Sequence, residues 1–278
     1  MTVLERSIIE TRALGTELRI DGLGAAQALA EVQRLEDVLS RFKPSPLTTL
    51  NEQGELQMPP RELYEALRYA LKVAQDTGGL ITPAVRGALV AAGYGAYLGS
   101  PMQPPTAVPS VQDVECTPER LALPTGLTLD LGGTGKGWIA HQAATCLMPP
   151  FVLDAGGDMV LEQPEAFSLE IEDPFGRSPL LLELPAGRWG VATSSLLKRA
   201  WAGGHHLIDP RTGRPLQSDF VQVTAISRSV LDAEIFAKLA FFGPEAVQRG
   251  QTRRILLALY AFDRAGKVCH WQGEHWEE

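Results

Sequence analysis

The chain has 278 residues, of which 45% are hydrophobic and 21% charged, so it can bury a sizeable core as one large domain or two small ones. Its formal net charge of −8 excludes the basic footprint of a nucleic-acid-binding protein and argues against adhesion to an anionic membrane surface. No stretch of the sequence approaches the ~20 apolar residues that a membrane-spanning helix needs.

The charges near the N-terminus and the number of cysteines indicate the cellular compartment. Acidic and basic residues recur through residues 1–20 and leave no apolar region of the kind that a signal peptide has. The three cysteines, Cys116, Cys146 and Cys269, are far apart and odd in number, which favours a reducing compartment and small buried hydrophobic roles. We therefore expect a cytoplasmic protein.

Hydrophobic periodicity predicts one strand and two helices in the first part of the chain. Alternation of apolar and polar residues indicates the strand, and apolar residues at three- and four-residue steps indicate the helices. In chain order these elements are a strand over Ala13–Ile20, a helix from Gly24 to Phe42 ended by Pro44 and Pro46, and a helix over Pro60–Asp76 stopped by Gly78 and Gly79.

A proline-rich stretch, Pro101–Pro109, predicts a loop at about 101–110 before strands and helices resume. The elements do not alternate in a regular βαβ rhythm, which favours an α+β fold over a doubly wound sheet. We expect a single domain over residues 1–278. The later elements are strands at Leu127–Leu131, Phe151–Leu153, Phe167–Ile171, Arg188–Ala192 and Val221–Ile226, helices at Gly135–Leu147 and Asp232–Phe242, and a terminal hairpin of Ile255–Phe262 and Lys267–Trp271.

Five motifs have residue types suited to binding or catalysis, although each also has a structural explanation. Glycines let a backbone approach a ligand closely, and a helix N-terminus offers free N–H groups to an anion. A tight turn, a β-bulge or a helix cap would account for the same residues. The motifs are Leu129–Gly137 (LDLGGTGKG), Leu153–Asp158 (LDAGGD), Val191–Ser195 (VATSS), His205–Pro215 (HHLIDPRTGRP) and Leu231–Glu234 (LDAE).

Two residues in these motifs are candidates for chemistry. His206 can act as a general base near neutral pH. A metal site formed by His205 and His206 is disfavoured, because neighbouring residues on a strand point in opposite directions. Asp232 is either the N-cap of a helix or a hard oxygen ligand for a divalent cation.

The order and spacing of the five motifs together resemble the ApbE family, the FAD:protein FMN transferases. Upstream, Leu14-Gly15-Thr16 resembles the family's Met-Gly-Thr. Ser40-Arg41-Phe42 and Leu50-Asn51 resemble its Ser-x-Tyr and Leu-Asn. The resemblance covers about Ala13 to Gly243 and implies an ApbE-like (T-fold-like) fold of mixed sheets with packed helices.

The resemblance also implies an activity: Mg²⁺-assisted cleavage of the FAD pyrophosphate, transfer of FMN to a threonine or serine of a target protein, and release of AMP. The target would be a subunit of a redox complex or an FMN-carrying domain. His206 would be the catalytic base, and Gly133 and Asp232 would bind the metal. FAD would contact Leu14, Phe42, Leu80, Ile81, Thr82, Asp130, Lys136 and Ile208.

The chain departs from the family pattern at positions tied to the metal. Thr82 stands where the family has an aspartate, and Phe236 stands where it has a threonine. Hard cations need several oxygen ligands, so magnesium affinity should suffer. Three hypotheses remain: an active transferase with an altered metal site, an FAD-binding carrier or sensor without activity, and a pyrophosphatase that splits FAD into FMN and AMP.

Overall fold

The computed structural model describes residues 6–95 and 102–277, and over these residues the chain divides into two compact units. Unit 1 consists of the described residues up to Glu36, Lys136–Ser195 and the described residues from Asp219 onward. Unit 2 consists of the described residues of Asp37–Gly135 together with Leu196–Ser218.

The regular elements of these residues are as follows. The α-helices are α1 Ala25–Leu39, α2 Pro46–Gln53, α3 Arg61–Asp76, α4 Arg86–Ala91, α5 Gly135–Ala143, α6 Val230–Leu239 and α7 Pro244–Gln251, with 3-10 turns at Pro83–Val85, Ala144–Cys146 and Ala240–Phe242. The strands are β1 Arg6–Ala13, β2 Thr16–Leu23, β3 Glu55–Gln57, β4 Glu115–Cys116, β5 Arg120–Ala122, β6 Met148–Asp154, β7 Asp158–Gln163, β8 Phe167–Ile171, β9 Leu180–Leu184, β10 Gly187–Ser195, β11 Ala200–Trp201, β12 Gly204–His205, β13 Ile208–Asp209, β14 Arg214–Pro215, β15 Phe220–Ser227, β16 Ala258–Asp263, β17 Val268–Trp271 and β18 Trp276–Glu277.

Unit 1 is built on a large antiparallel sheet. Within the described residues it has nine strands, in the order β1-β2-β6-β7-β10-β15-β16-β17-β18. Helix α6 packs on β10 and β15, and Ile235 and Phe236 are completely buried there. A side chain at Gly190 of β10 would overlap the backbone at Val230, so this position needs glycine for the helix to approach the sheet.

Unit 2 combines helices α2, α3 and α4 with short strands. A three-stranded sheet, β3-β5-β4, and two ribbons, β11-β12 and β13-β14, lie among its described residues. Ser45 caps α2 by accepting a hydrogen bond from the Thr48 N–H, and the Thr48 hydroxyl accepts one from the Ser45 N–H. An apolar cluster of Ala88, Leu89, Ala92 and Ile208 joins α4 to β13.

The α+β prediction is confirmed, and several predicted elements match closely. The predicted strand Phe167–Ile171 is β8 at both ends, and the predicted helix Pro60–Asp76 is α3. The terminal hairpin is present as β16 and β17. No helix in the described ranges combines the length and apolar character that crossing a bilayer requires.

Other predictions are wrong for identifiable physical reasons. The segment predicted as one strand over Ala13–Ile20 is a hairpin that turns at Leu14–Gly15. Pro46 begins α2 instead of ending α1, because proline at the first helical position loses no hydrogen bond. The predicted strand Leu127–Leu131 is irregular: the N–H and C=O of Leu129 bond to the Asn51 side chain.

A helix cap, one of the structural explanations for these motifs, is absent at two of them. Thr193, Ser194 and Ser195 are the end of β10 and pair with β15, so they cap no helix. The N-cap of α6 is Ser229, whose hydroxyl accepts from the Leu231 N–H, and Asp232 lies inside the first turn.

Candidate active site

The residues predicted to form the site occur in both units. Unit 1 carries Leu14, Lys136 and Asp232, and unit 2 carries Phe42, Leu80, Ile81, Thr82, Asp130, Gly133, His206 and Ile208.

In unit 1, the turn at Leu14 packs against the turn of the LDAGGD motif. Leu14 has φ of 57°, and its N–H donates to Glu36 Oε1 at 3.0 Å. A side chain at Gly156 would overlap Thr16, so glycine permits the contact between the two turns. Two motifs that are far apart in sequence therefore meet at one end of the sheet.

Lys136 and Asp158 form an ion pair in unit 1, with Asp158 almost completely buried at the start of β7. The pair joins the glycine-rich motif to the LDAGGD motif. On the neighbouring strand, Asp158 lies opposite Ala192 of the VATSS motif. Within this unit, the LDAGGD motif is thus next to the VATSS motif and to Lys136, at the end of the glycine-rich motif.

Helix α6 adds a second buried ion pair that the motif analysis missed. Lys238 Nζ lies 3.2 Å from Glu234 Oε1, with side-chain exposures of 12% and 0%. A Cβ at Gly137 would lie 2.5 Å from Glu234 Oε2, so Gly137 is the residue that lets α5 approach this carboxylate. Burial raises the pKa of Glu234 to about 7; Lys238 and Lys136 oppose this shift and Asp158 adds to it.

Asp232, the residue expected to bind metal, has different partners. Its carboxylate accepts hydrogen bonds from Arg254 Nη1 at 3.2 Å and from the Ile255 N–H at 3.3 Å.

The ion pair of Glu234 and Lys238 could have been predicted from their spacing, because residues four apart on a helix lie on the same face.

In unit 2, Asp130 is held by a buried cation and by its own loop. Arg41 forms an ion pair with the Asp130 carboxylate, and the Gly132 N–H donates to Asp130 Oδ1 at 2.6 Å. The Asp130 N–H donates to Pro83 O at 2.8 Å, which ties the motif to the segment after α3. The carboxylate predicted to touch FAD is therefore fixed in position.

The segment Leu80–Thr82 lies beside the glycine turn of the same unit. Ile81 is buried, and its N–H donates to the Thr77 hydroxyl at 3.2 Å. Its Cγ2 atom would be 3.9 Å from a Cβ at Gly133. Thr82 caps a 3-10 turn by accepting from the Ala84 N–H, so its hydroxyl has a structural role.

Phe42 belongs to a line of aromatic rings in unit 2. The Arg41 guanidinium carbon lies 4.1 Å from the Phe42 ring centroid and 4.5 Å from that of Tyr94. The Tyr94 and Trp201 ring centroids are 6.0 Å apart, and the Trp201 indole donates to Ala92 O at 3.0 Å. Phe42 itself is 56% exposed, so it can offer a ring face to a planar ligand.

The HHLIDPRTGRP motif forms a tight loop closed by the pairing of β13 with β14. Asp209 accepts three side-chain hydrogen bonds and one backbone N–H bond from Arg211, and the Gly213 N–H donates to Asp209 O at 2.8 Å. Burial raises the pKa of Asp209, but the Arg211 hydrogen bonds outweigh burial and the pKa is lowered. Ile208, predicted to touch FAD, is buried beside this loop.

The two histidines of this motif have different surroundings. His205 Nδ1 accepts from the Leu207 N–H at 3.3 Å, and Nε2 lies 3.0 Å from Leu216 O. A carbonyl only accepts, so Nε2 donates to it, and the two hydrogen bonds of His205 fix the loop. His206 precedes β13 and is half-buried.

The residues at the expected metal positions do not fit a magnesium site. Phe236 offers no ligand, and Asp232 is bonded to a guanidinium, whose charge opposes a divalent cation. Among residues 6–95 and 102–277 there is no group of three or more His, Cys, Asp or Glu side chains placed to hold a metal ion.

Comparison with known proteins covers almost the whole chain. The FAD:protein FMN transferase of Escherichia coli (strain K12) is 22% identical over 305 residues, which is 94% of this chain and 85% of the relative. One from Klebsiella pneumoniae (strain 342) is 30% identical over 125 residues, but the match spans only 42% of this chain and 39% of that relative.

Solved structures agree on the fold. The ApbE protein of Thermotoga maritima superposes with a TM-score of 0.82 at 21% identity, covering 96% of this chain and 97% of the other. The flavin transferase ApbE of Vibrio cholerae gives 0.75 at 18% identity, covering 97% and 98%. Residues 9–255 match the ApbE family, and the chain therefore belongs to that family.

Proposed function

We propose that this protein is an FAD:protein FMN transferase. The observation that carries the proposal is the match to the ApbE family over residues 9–255. Within that range, His205 is held by two hydrogen bonds to its own loop, and its neighbour His206 is the proposed catalytic base. The curated relatives bearing that activity in their names support the same assignment.

In the proposed reaction, the hydroxyl oxygen of an acceptor threonine or serine attacks the flavin-side phosphorus of FAD. The bond between that phosphorus and the bridging oxygen breaks, and AMP leaves with the bridging oxygen. The hydroxyl proton goes to His206, because a hydroxyl is a weak nucleophile until a base removes its proton. One AMP is formed for each flavin attached.

Within unit 2, the proposal assigns the flavin ring to the exposed face of Phe42, where an aromatic ring can stack. Leu80, Ile81, Thr82, Asp130 and Ile208 remain the other proposed FAD contacts of this unit. In unit 1 the proposed contacts are Leu14 and Lys136, whose ammonium group suits a phosphate. No step of the proposed reaction uses magnesium, because Asp232 and Phe236 do not form a suitable magnesium site.

The test is a transfer assay with purified protein, FAD and an acceptor protein that carries an exposed threonine. Covalent flavin fluorescence on the denatured acceptor, with an equal amount of AMP, is the expected result. Free FMN and AMP without a labelled acceptor would replace the proposal by a pyrophosphatase. Saturable FAD binding without either product would replace it by a flavin carrier or sensor.

A further inference from the structure

Phe42, the ring proposed to stack on the flavin, lies in the bend between α1 and α2. The backbone of this bend is fastened, because the Phe42 N–H donates to the Ser40 hydroxyl at 3.2 Å and the Ser45 hydroxyl donates to Ser40 O at 2.6 Å. The Phe42 side chain, by contrast, is 56% exposed. A ligand that stacks on an exposed ring must overcome the entropy lost when that ring is ordered, unless the protein already holds it.

Arg41 holds the ring from one side. Its guanidinium carbon lies 4.1 Å from the Phe42 ring centroid, so the cation covers one face of the ring and the exposed surface includes the opposite face. The same carbon lies 4.5 Å from the Tyr94 centroid, and the two ring centroids are 5.6 Å apart. The guanidinium and the two rings therefore form one packed group within unit 2.

The Arg41 side chain is in turn fixed by partners from other parts of unit 2. Nη1 donates to Gly95 O and Nη2 to Tyr94 O, each at 3.2 Å. Nε pairs with the Asp130 carboxylate, whose Oδ1 also accepts from the Gly132 N–H at 2.6 Å. All three guanidinium nitrogens are engaged and the side chain is only 6% exposed. Arg41 is thus placed to hold other groups and not to touch a ligand itself.

Phe42 and Asp130 are far apart in sequence, and Arg41 contacts both. The edge of its guanidinium meets the carboxylate and its flat face meets the ring. This double contact needs the planar group of arginine, because a lysine ammonium could pair with the carboxylate but has no face to lie on a ring. The two proposed flavin contacts of unit 2 are therefore linked through one buried side chain.

We propose that Arg41 is a positioning residue of the flavin site, which holds the Phe42 ring and the Asp130 carboxylate in the arrangement that receives the flavin of FAD. This inference rests on the proposed function, because it takes FAD as the ligand. Groups that are held in place before the ligand arrives bind it more tightly, since less freedom is lost on binding. Arg41 therefore controls how firmly the flavin is held and in which orientation.

The first test is Arg41→Lys, which keeps a positive charge beside Asp130 and removes the planar face. We expect FAD binding to weaken by about tenfold, because the ring is no longer held. The visible circular dichroism of FAD at saturation should also decrease, since this signal depends on a flavin fixed in one orientation. A purely structural role would lower the melting temperature and leave that signal unchanged.

Arg68→Lys is the matched control. The Arg68 guanidinium carbon lies 5.7 Å from the Tyr64 ring centroid in the same unit, but Arg68 is exposed and no FAD contact is proposed there. This variant should keep both the affinity for FAD and the flavin signal. Equal losses in Arg41→Lys and Arg68→Lys would overturn the inference, because any guanidinium on a ring would then have the same effect.

A double-mutant cycle shows whether Arg41 acts through the ring. In a Phe42→Ala background, Arg41→Lys should weaken FAD binding by about threefold or less, because the ring that it positions is already absent. A loss as large as in the unmodified protein would overturn the inference, and so would an unchanged flavin signal in Arg41→Lys alone.

A second pair of variants decides the question if Arg41→Lys does not fold. Tyr94→Leu removes a ring that contacts the guanidinium and should reduce the flavin signal, whereas Tyr94→Phe keeps the ring and should match the unmodified protein. Equal signals from these two variants would overturn the inference alone. An unmodified protein that binds no FAD would overturn the proposed function as well.

Discussion

Arg41 and Asp130 form an ion pair in which the two side chains are only 6% and 7% exposed. The guanidinium also contacts the Phe42 and Tyr94 rings and donates to two backbone carbonyls, so its position is set from several sides. A carboxylate expected to touch a ligand is thus also part of the structural framework of unit 2.

Replacing Asp130 should therefore cost stability as well as binding. Asp130→Asn leaves the buried Arg41 charge uncompensated, and we expect a loss of about 3 kcal/mol in the free energy of unfolding. Urea unfolding measures it. Asp37→Asn, which breaks the exposed pair with Lys43, should cost less than about 1 kcal/mol. Equal costs for the two variants would contradict the importance of burial.

Phe42 should matter for flavin binding and little for folding. Phe42→Ala should weaken FAD binding by about tenfold, because a stacking face worth about 1 kcal/mol and its buried area are lost. Its melting temperature should stay close to that of the unmodified protein. The control is Phe175→Ala, an exposed phenylalanine of unit 1 that also contacts an arginine, Arg177. Similar FAD affinity in both variants would argue against stacking at Phe42.

Substitution of His206 should affect catalysis, whereas substitution of His205 should affect stability. His206→Ala should reduce flavin transfer at least about a hundredfold, since general-base catalysis typically supplies that much. FAD affinity should change little. His205→Ala should lower the melting temperature, because the Leu207 N–H and Leu216 C=O lose their partner. Transfer by His206→Ala at the normal rate would exclude it as the base.

Gly137 should tolerate no side chain. A Cβ there would lie 2.5 Å from Glu234 Oε2, which is fully buried, so Gly137→Ala should destabilise by about 1–3 kcal/mol. Gly87→Ala is the matched helical control: its nearest neighbour would be 3.8 Å away, and alanine favours helix. The expectation is wrong if both variants unfold at the same urea concentration.

Glu234 should make stability depend on pH. Its pKa rises from 4.5 to about 7 on folding through burial, with Lys238, Asp158 and Lys136 facing it. The folded state holds the proton more firmly, so this stability is present below about pH 4.5 and lost as pH rises through about 7. In Glu234→Gln the side chain cannot bind or release a proton, so this dependence on pH is removed.

The stability of Glu234→Gln relative to the unmodified protein should therefore increase between pH 5 and pH 8, by up to about 3 kcal/mol. Urea unfolding at intervals of one pH unit measures the difference. Asp76→Asn, which removes the carboxylate of the Lys72–Asp76 pair on α3, is the control for losing a helical ion pair. A constant difference for Glu234→Gln would mean that its pKa is not raised.

Sequence reasoning succeeded where a single physical signal dominated. Alternation bounded by polar residues located β8, and an apolar stripe with a terminal glycine pair located α3. It failed at Leu127–Leu131, because the backbone N–H and C=O of Leu129 bond to the Asn51 side chain, a partner 78 residues away in sequence. Local pattern carries no information about such a partner.

The candidate site shows the same division. The motifs could be found in the sequence because glycines and charged residues occur together at the ends of predicted strands. The direction of the Glu234 side chain could not be predicted, since it depends on how closely α5 approaches α6. The partners of Asp130 and Asp232 were likewise unpredictable, because Arg41 and Arg254 are brought to them by the fold.

The order of the main sheet has a consequence for synthesis on the ribosome. Its strands pair in the order in which they are made, so the sheet can grow by adding one strand at a time. The two segments of unit 2 interrupt this growth, between β2 and β6 and between β10 and β15. Excising both segments and joining the ends with short linkers would leave every strand beside its sequential neighbour. Such a shortened chain would reveal whether the sheet is a foldable scaffold by itself.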